Sequence, residues 1–214
     1  MKSYRQFCSV AKALDVVGDR WALLVVRELL LGPRRYTDLL EGLPGIGTNV
    51  LSTRLRELQA AGIVTRRRLP APAPATVYEL TDDGLELRTV LAALAGWGQR
   101  RLITPADDDT VEPRWFMSSV ASTLDRAGLD EPAVFELDVD EQRFTLELRD
   151  QHVIARHGAP DDPVATLTGR LRDFFAAYRG DPAAARRISI DGDARAGTRL
   201  LTAITEAGTA KSGR

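Results

Sequence analysis

The sequence has little of what braces a secreted or membrane-bound protein. One cysteine, Cys8, excludes an internal disulfide framework and points to a reducing cytoplasm as the expected location. The longest apolar stretches, Trp21 to Val26 and Val90 to Ala95, fall far short of a bilayer span, so no membrane partner is expected. The N-terminal run mixes charges among its apolar residues and lacks the core of a signal peptide. The only histidines, His152 and His157, are five apart, which does not place them together on a strand face. Without a second cysteine or an HExxH motif, a zinc site has no support. No GxSxG elbow is present, and the segments at Gly180 and Asp191 read as turns rather than calcium loops. No cofactor and no enzymatic activity are expected.

What is present is a globular composition, 44% hydrophobic and 28% charged over 214 residues, with a hidden asymmetry. The net charge is −1, yet residues 1–104 carry 15 Lys and Arg against 10 Asp and Glu, while residues 105–214 carry 14 against 20. A basic half joined to an acidic half suggests that only the first faces a polyanion. The polar, acidic, proline-bracketed run from Thr104 to Pro113 reads as a boundary. The expected organisation is therefore a first domain over 1–104, a linker over 105–112 and a second domain over 113–214.

Before the boundary the pattern is helical. Ser9 can cap a helix through Val17, and Asp19 can cap a second from Arg20 to Leu31, stopped by Gly32-Pro33. The second is apolar nearly all round and should be buried. Thr37 can cap a short helix to Leu43; after the turn around Gly45, a fourth runs from about Thr48 to Ala61 and closes at Gly62. The period then changes. Ile63 to Arg68 and Thr76 to Leu80 read as paired strands around an extended Pro-Ala loop, Leu69 to Ala75. A long helix starts at Thr81-Asp82-Asp83, with Leu85, Leu91, Leu94 and Trp97 on or near one face. In outline this is a winged helix-turn-helix.

The fourth helix carries the chemistry. At about 100° per residue, Leu51, Leu55 and Leu58 fall together and must face the core, while Asn49, Thr53 and Arg56 fall opposite with Ser52 on the flank. Arginine suits guanine, asparagine suits adenine, and serine or threonine suits either in a major groove. The candidate DNA-binding residues of this helix are Thr48, Asn49, Ser52, Thr53, Arg54 and Arg56. Arg34 and Arg35 in the turn before the third helix, and Arg66, Arg67 and Arg68 on the first ribbon strand, are candidates for phosphate. The Pro-Ala loop would be the wing tip.

Cys8 to Leu39, with its GDRWALLVVRELLLGPRRYTDL run, resembles the opening of the HxlR-type winged-helix regulators. Leu43 to Arg66 is similar to their recognition-helix segment, and Tyr78 to Leu87 to their second wing strand and last-helix start. The resemblance covers about 8–100. It implies a homodimer formed through the first and last helices and a two-fold-related double-stranded DNA operator. The extra Pro-Ala residues depart from the family's wing. Cys8 stands where several relatives carry a redox- or electrophile-sensing cysteine; a small packing residue is the other reading.

Beyond Glu131 the period is two. Phe135, Leu137 and Val139 alternate with acids, Phe144, Leu146 and Leu148 repeat the pattern, and the segments at His152 and Val164 supply further strands. These read as an antiparallel meander with one buried face. A helix from Leu171 to Tyr178, a strand from Ile188 to Ile190 and a helix from Ala194 to Thr205 follow. The expected fold class is thus α+β. The meander, the Asp161–Thr168 segment and the strand–turn at Ile188–Asp193 resemble a sterol-carrier-protein-type lipid-binding domain over roughly 112–207. That resemblance implies a sheet packed on helices around an apolar cavity, with Phe135, Leu146, Phe174, Phe175 and Leu201 as candidate linings for a small hydrophobic effector. A dry core filled by the same residues is the alternative. Three functions follow: a DNA-binding regulator tuned by an apolar ligand, a regulator whose second domain braces a dimer or docks a partner, and a lipid carrier that uses the winged helix only to dimerise.

Overall fold

A buried leucine stripe organises the first half of the chain. The computed structural model describes residues 3–70, 74–98, 101, 110–124, 132–149 and 152–209. It divides into two compact units, Met1–Leu91 and Ala92–Arg214. The wing-tip residues 71–73 and linker residues 105–109 lie outside the described residues.

The first unit runs α1 (Ser9–Val17), α2 (Ala22–Leu29), β1 (Arg34–Arg35), α3 (Tyr36–Glu41), α4 (Thr48–Ala60), β2 (Val64–Arg68), β3 (Thr76–Leu80) and into α5 (Asp82–Gly98). Val25, Val26 and Leu29 of α2, Leu39 of α3, and Leu51, Leu55 and Leu58 of α4 share one buried cluster. The α4 helix ends at Gly62, whose φ of +76° is open to glycine at little cost and lets the Ile63 N–H donate to the Leu58 carbonyl. Thr81 then starts α5 by accepting the Gly84 N–H at 3.1 Å.

Several starts differ from the sequence reading. Ser9 is the first helical residue, after Cys8, and Asp19 leaves the start of α2 to pair with Arg54. The third helix begins at Tyr36 because the Asp38 carboxylate reaches back to accept the Arg35 N–H at 3.1 Å, which places the start ahead of Thr37. Arg34 and Arg35 form a strand rather than a turn: β1 pairs antiparallel with β3, and the sheet order is β1-β3-β2. The expected apolar stripe of α5 splits. Leu87 and Leu91 pack on the core, while Leu85, Val90, Leu94 and Trp97 are exposed.

One buried charge stands among the apolar residues of α2. Glu28 is 3% exposed, and its carboxylate pairs with Arg27 at 2.9 Å and with Arg34 on β1. A Cβ on Gly42 would run into the Glu28 carboxylate and the Arg34 guanidinium, so a larger residue at the end of α3 would have to displace that ion pair.

The second unit contains α6 (Pro113–Leu124), β4 (Ala133–Val139), β5 (Gln142–Arg149), β6 (His152–His157), β7 (Ala165–Gly169), α7 (Leu171–Tyr178), α8 (Pro182–Ala185), β8 (Ser189–Gly192) and α9 (Ala194–Thr209). The sheet order is β6-β5-β4-β7-β8. The expected antiparallel meander holds for β4, β5 and β6 but not for the whole sheet, because β7 runs parallel to β4, with Leu137 opposite Leu167. The segment 158–164 therefore carries the chain from one side of the β4–β5 pair to the other. Alternation reports which face a strand buries, and it is blind to which neighbour the strand joins. On the buried face, Phe135, Leu137, Phe144, Leu146 and Leu167 join Phe116, Met117 and Phe174 in the interior. Asp181 caps α8 by accepting the Ala183 N–H, turning a segment read as a turn into a short helix. Among the described residues, no helix is long and apolar enough to cross a membrane and no cluster of three metal-ligating side chains occurs.

Two stability outcomes follow. Leu55→Ala, at 1% exposure, should cost about 2–5 kcal/mol in urea unfolding. Glu28→Ala should cost about 3–5 kcal/mol by stranding Arg34, whereas Glu28→Leu with Arg34→Met should recover most of that loss. A double variant as unstable as the single would show that the pair's charge is not the source.

Candidate nucleic-acid interface

The pinned leucines of α4 fix what the helix shows to the outside. With Leu51, Leu55 and Leu58 inward, Thr48, Asn49, Ser52 and Arg56 are exposed and Thr53 is half-buried. The first turn is held in place from α3: the Tyr36 hydroxyl donates to the Thr48 carbonyl at 2.8 Å and lies 3.2 Å from Ser52 Oγ. Arg56 folds back along its own helix, donating to the Ser52 carbonyl at 3.4 Å and to Thr53 Oγ1 at 3.2 Å. Asn49 and Thr48 thus stand at the N-terminal end of the helix, the end that reaches base edges when a recognition helix enters a major groove.

The arginines sort into paired and exposed ones that the sequence could not separate. Arg34 turns inward to Glu28, which withdraws it from the phosphate role expected of it. Arg54 pairs with Asp19 and with Glu57 at 2.5 Å, so it ties α4 to the α1–α2 turn rather than projecting outward. Arg67 makes a two-pronged contact across the ribbon to Glu79, with both N–H···O distances 2.8 Å. Arg35, Arg66 and Arg68 are exposed, and no ion pair is seen for them among the described residues. In the ribbon register Arg66 sits opposite Tyr78 and Arg68 opposite Thr76, so Arg66 and Arg68 share one face while Arg67 lies on the other with Val77 and Glu79. Glu79 is the residue the sequence reading missed. Its spacing from Arg67 becomes readable only once the register is known.

The candidate effector-binding residues fall unequally. Phe135 and Leu146 are register partners on the buried face of the second sheet. Phe174 is fully buried, 6.0 Å from Phe116 between ring centres, and Leu201 is buried on α9. Phe175 is half-buried and lies under the Arg179 guanidinium, apart from that group in character. Cys8 is exposed at the start of α1.

A helix pair joined by a tight turn, a leucine-pinned second helix and an antiparallel ribbon together define a winged helix-turn-helix. Residues 16–105 match the family described as HxlR-like helix-turn-helix, and the chain belongs to that family. Over 86 residues it is 37% identical to the HTH-type transcriptional regulator YvaP of Bacillus subtilis, covering 40% of this chain and 80% of that protein. It is 40% identical over 87 residues to the HTH-type transcriptional regulator sll1512 of Synechocystis, covering 41% of this chain and 64% of that protein's length. A solved structure of the reduced form of the transcriptional regulator YodB from B. subtilis aligns with 31% identity and a TM-score of 0.40, covering 48% of this chain and 100% of that one. These relatives are named as transcriptional regulators, not as enzymes.

The ribbon pair gives a pH-dependent outcome. Hydrogen bonding from Arg67 holds the Glu79 carboxyl below its usual range, against a smaller opposing effect of burial. A depressed carboxyl stabilises the fold above the unfolded value, about 4.3, and loses that contribution as pH falls through the lower folded value. Between pH 6 and pH 3 the urea midpoint of the native chain should therefore fall further than that of Glu79→Gln. Equal falls would show that the pair does not contribute.

Proposed function

We propose that this chain is a sequence-specific, DNA-binding transcriptional regulator that reads duplex DNA with the first turns of α4. The observation that carries the reading is the division of that helix: three fully buried leucines on one side, Thr48, Asn49 and Ser52 in water on the other. Thr48, Asn49 and Thr53 address base edges, with Ser52 and Arg56 able to join once a base edge replaces their internal partners. Arg35, Arg66 and Arg68 address phosphates, which fix register without reading sequence. The names of the relatives support the same assignment.

The chain acts as a homodimer on a two-fold-related operator. Support comes from Val10 and Leu14 on α1 and Val90, Leu94 and Trp97 on α5, each group at helical spacing and each left in water. We further assign residues 113–214, after a linker over 105–112, to a sterol-carrier-like domain that binds a small apolar effector. The support is its apolar interior, to which Phe135, Leu146, Phe174 and Leu201 contribute. An effector would act by favouring one spacing of the two α4 helices over another.

Selection of bound sequences from random duplex DNA tests the first claim. A defined half-site, repeated at a fixed spacing, is expected; uniform binding to all sequences would overturn it. Asn49→Ala should weaken the selected site by about 1–3 kcal/mol and relax preference at one position, whereas Arg66→Ala and Arg68→Ala should weaken all duplexes alike and each lower the salt slope by about one. Titration with apolar small molecules should change operator affinity; no change across a chemically broad set would remove the effector claim and leave the DNA reader intact.

A further inference from the structure

We infer that Val50 is a specificity-determining residue of α4, reading the C5-methyl group of a thymine in the major groove. The inference rests on the proposed use of α4 as the base-reading helix. Val50 is 41% exposed in the first turn of α4, next to Asn49 and one helical turn before Thr53 and Arg54. The other large apolar side chains that the first unit exposes lie on the N-terminal arm, on α1 and on α5, so Val50 is the one that α4 contributes among the described residues. Val50 is thus an apolar group on the flank of α4 that borders its polar face, about 100° around the helix from Asn49. Of the four bases only thymine offers the major groove an apolar group, its C5-methyl.

Local geometry makes Val50 a better-prepared reader than the longer side chains around it. The Tyr36 hydroxyl holds the Thr48 carbonyl and so fixes the backbone of this turn. A valine in a helix occupies essentially one χ1 rotamer, so its methyl groups are already placed before any contact is made. Arg56, by contrast, must release Thr53 Oγ1 and the Ser52 carbonyl to reach outward. Ser52 has the Tyr36 hydroxyl as a neighbour. Base preference at the position facing Val50 should accordingly be for thymine by shape, without a hydrogen bond.

The test uses the full chain and the duplex it selects from a random pool. Each thymine of the half-site is replaced in turn by deoxyuridine, which keeps base pairing and the O4 acceptor and removes only the methyl. At one position per half-site the native chain should lose affinity by about three- to fivefold, the worth of one buried methyl-sized group. Val50→Ala should bind the thymine duplex more weakly by a similar factor and be indifferent to the same replacement. Val50→Thr, which keeps one methyl and the shape, should retain part of the discrimination. Losses that simply add in Val50→Ala, or no thymine-sensitive position at all, would overturn the inference while leaving α4 as the reader. Failure of the native chain to select any sequence would instead bring down the reading on which the inference stands.

Discussion

The first unit depends on how a carboxylate is kept inside it. Glu28 projects from a helix whose other buried residues are Ala22, Val25, Val26 and Leu29, and an unpaired charge there would be prohibitive. Arg27 on the same helix and Arg34 on β1 supply the compensation. The second of these is the one with structural reach. Arg34 can meet Glu28 only if β1 lies beside α2, and β1 holds β3 through the Arg34–Tyr78 and Arg35–Val77 pairs. β3 in turn sets the register of Arg66, Arg67 and Arg68 on β2. A buried ion pair of this kind adds little net stability compared with an apolar replacement, but it penalises every arrangement that leaves one partner alone. Its effect here is on position: it links the ribbon to the helical core through a two-residue strand that has almost no hydrophobic pattern of its own.

That is also why the ribbon's third strand was invisible in the sequence. The helices of the first unit, the α4 boundaries and both long ribbon strands follow from periodicity, because leucines at helical spacing and valine or tyrosine at period two report burial directly. β1 is two arginines, a pair that composition assigns to solvent. The same blindness affected the arginines as a class. Arg34, Arg54 and Arg67 read like Arg35, Arg66 and Arg68, yet the first three spend their charge on Glu28, on Asp19 and Glu57, and on Glu79. Partners that lie 6, 35 and 12 residues away cannot be paired from a linear string without knowing the turns between them. The leucine-backed face of α4 needed no such knowledge, so the outward-facing residues of that helix were legible from the start.

The second unit shows a complementary limit. Strand identity was readable from alternation, and Phe135, Leu137, Val139, Phe144, Leu146 and Leu148 are buried as it expects, although Glu136 and Glu147 on the other face are buried as well. Strand order was not. The crossover over 158–164 is short and, apart from Val164, built of glycine, proline, alanine and aspartate, a composition as suitable for a hairpin as for a crossing. The helix α6 was also readable in principle, since Phe116, Met117, Val120, Ala121 and Leu124 recur at helical spacing and are all buried. It follows directly on an acidic, proline-marked stretch whose composition signals a boundary more strongly than the short helical pattern after it.

The small number of groups left to read DNA bears on how many copies of α4 must act together. Exposed arginines on the ribbon attract every duplex equally, so they raise affinity without raising the ratio between right and wrong sites. On the proposed reading, discrimination comes from the first turns of α4, where Thr48, Asn49, Val50 and Thr53 would offer contacts worth about 1–3 kcal/mol at the most favourable. Specific regulators commonly separate their sites from bulk DNA by about 4–10 kcal/mol. One helix with so few committed readers reaches only the lower part of that range, because some of its contacts will be single hydrogen bonds or a lone methyl. Two helices held at a fixed spacing double the discrimination at no cost in new chemistry, and they require a surface through which two chains can join. On the proposed homodimer, the exposed apolar residues of α1 and α5, Val10, Leu14, Val90, Leu94 and Trp97, would supply that surface.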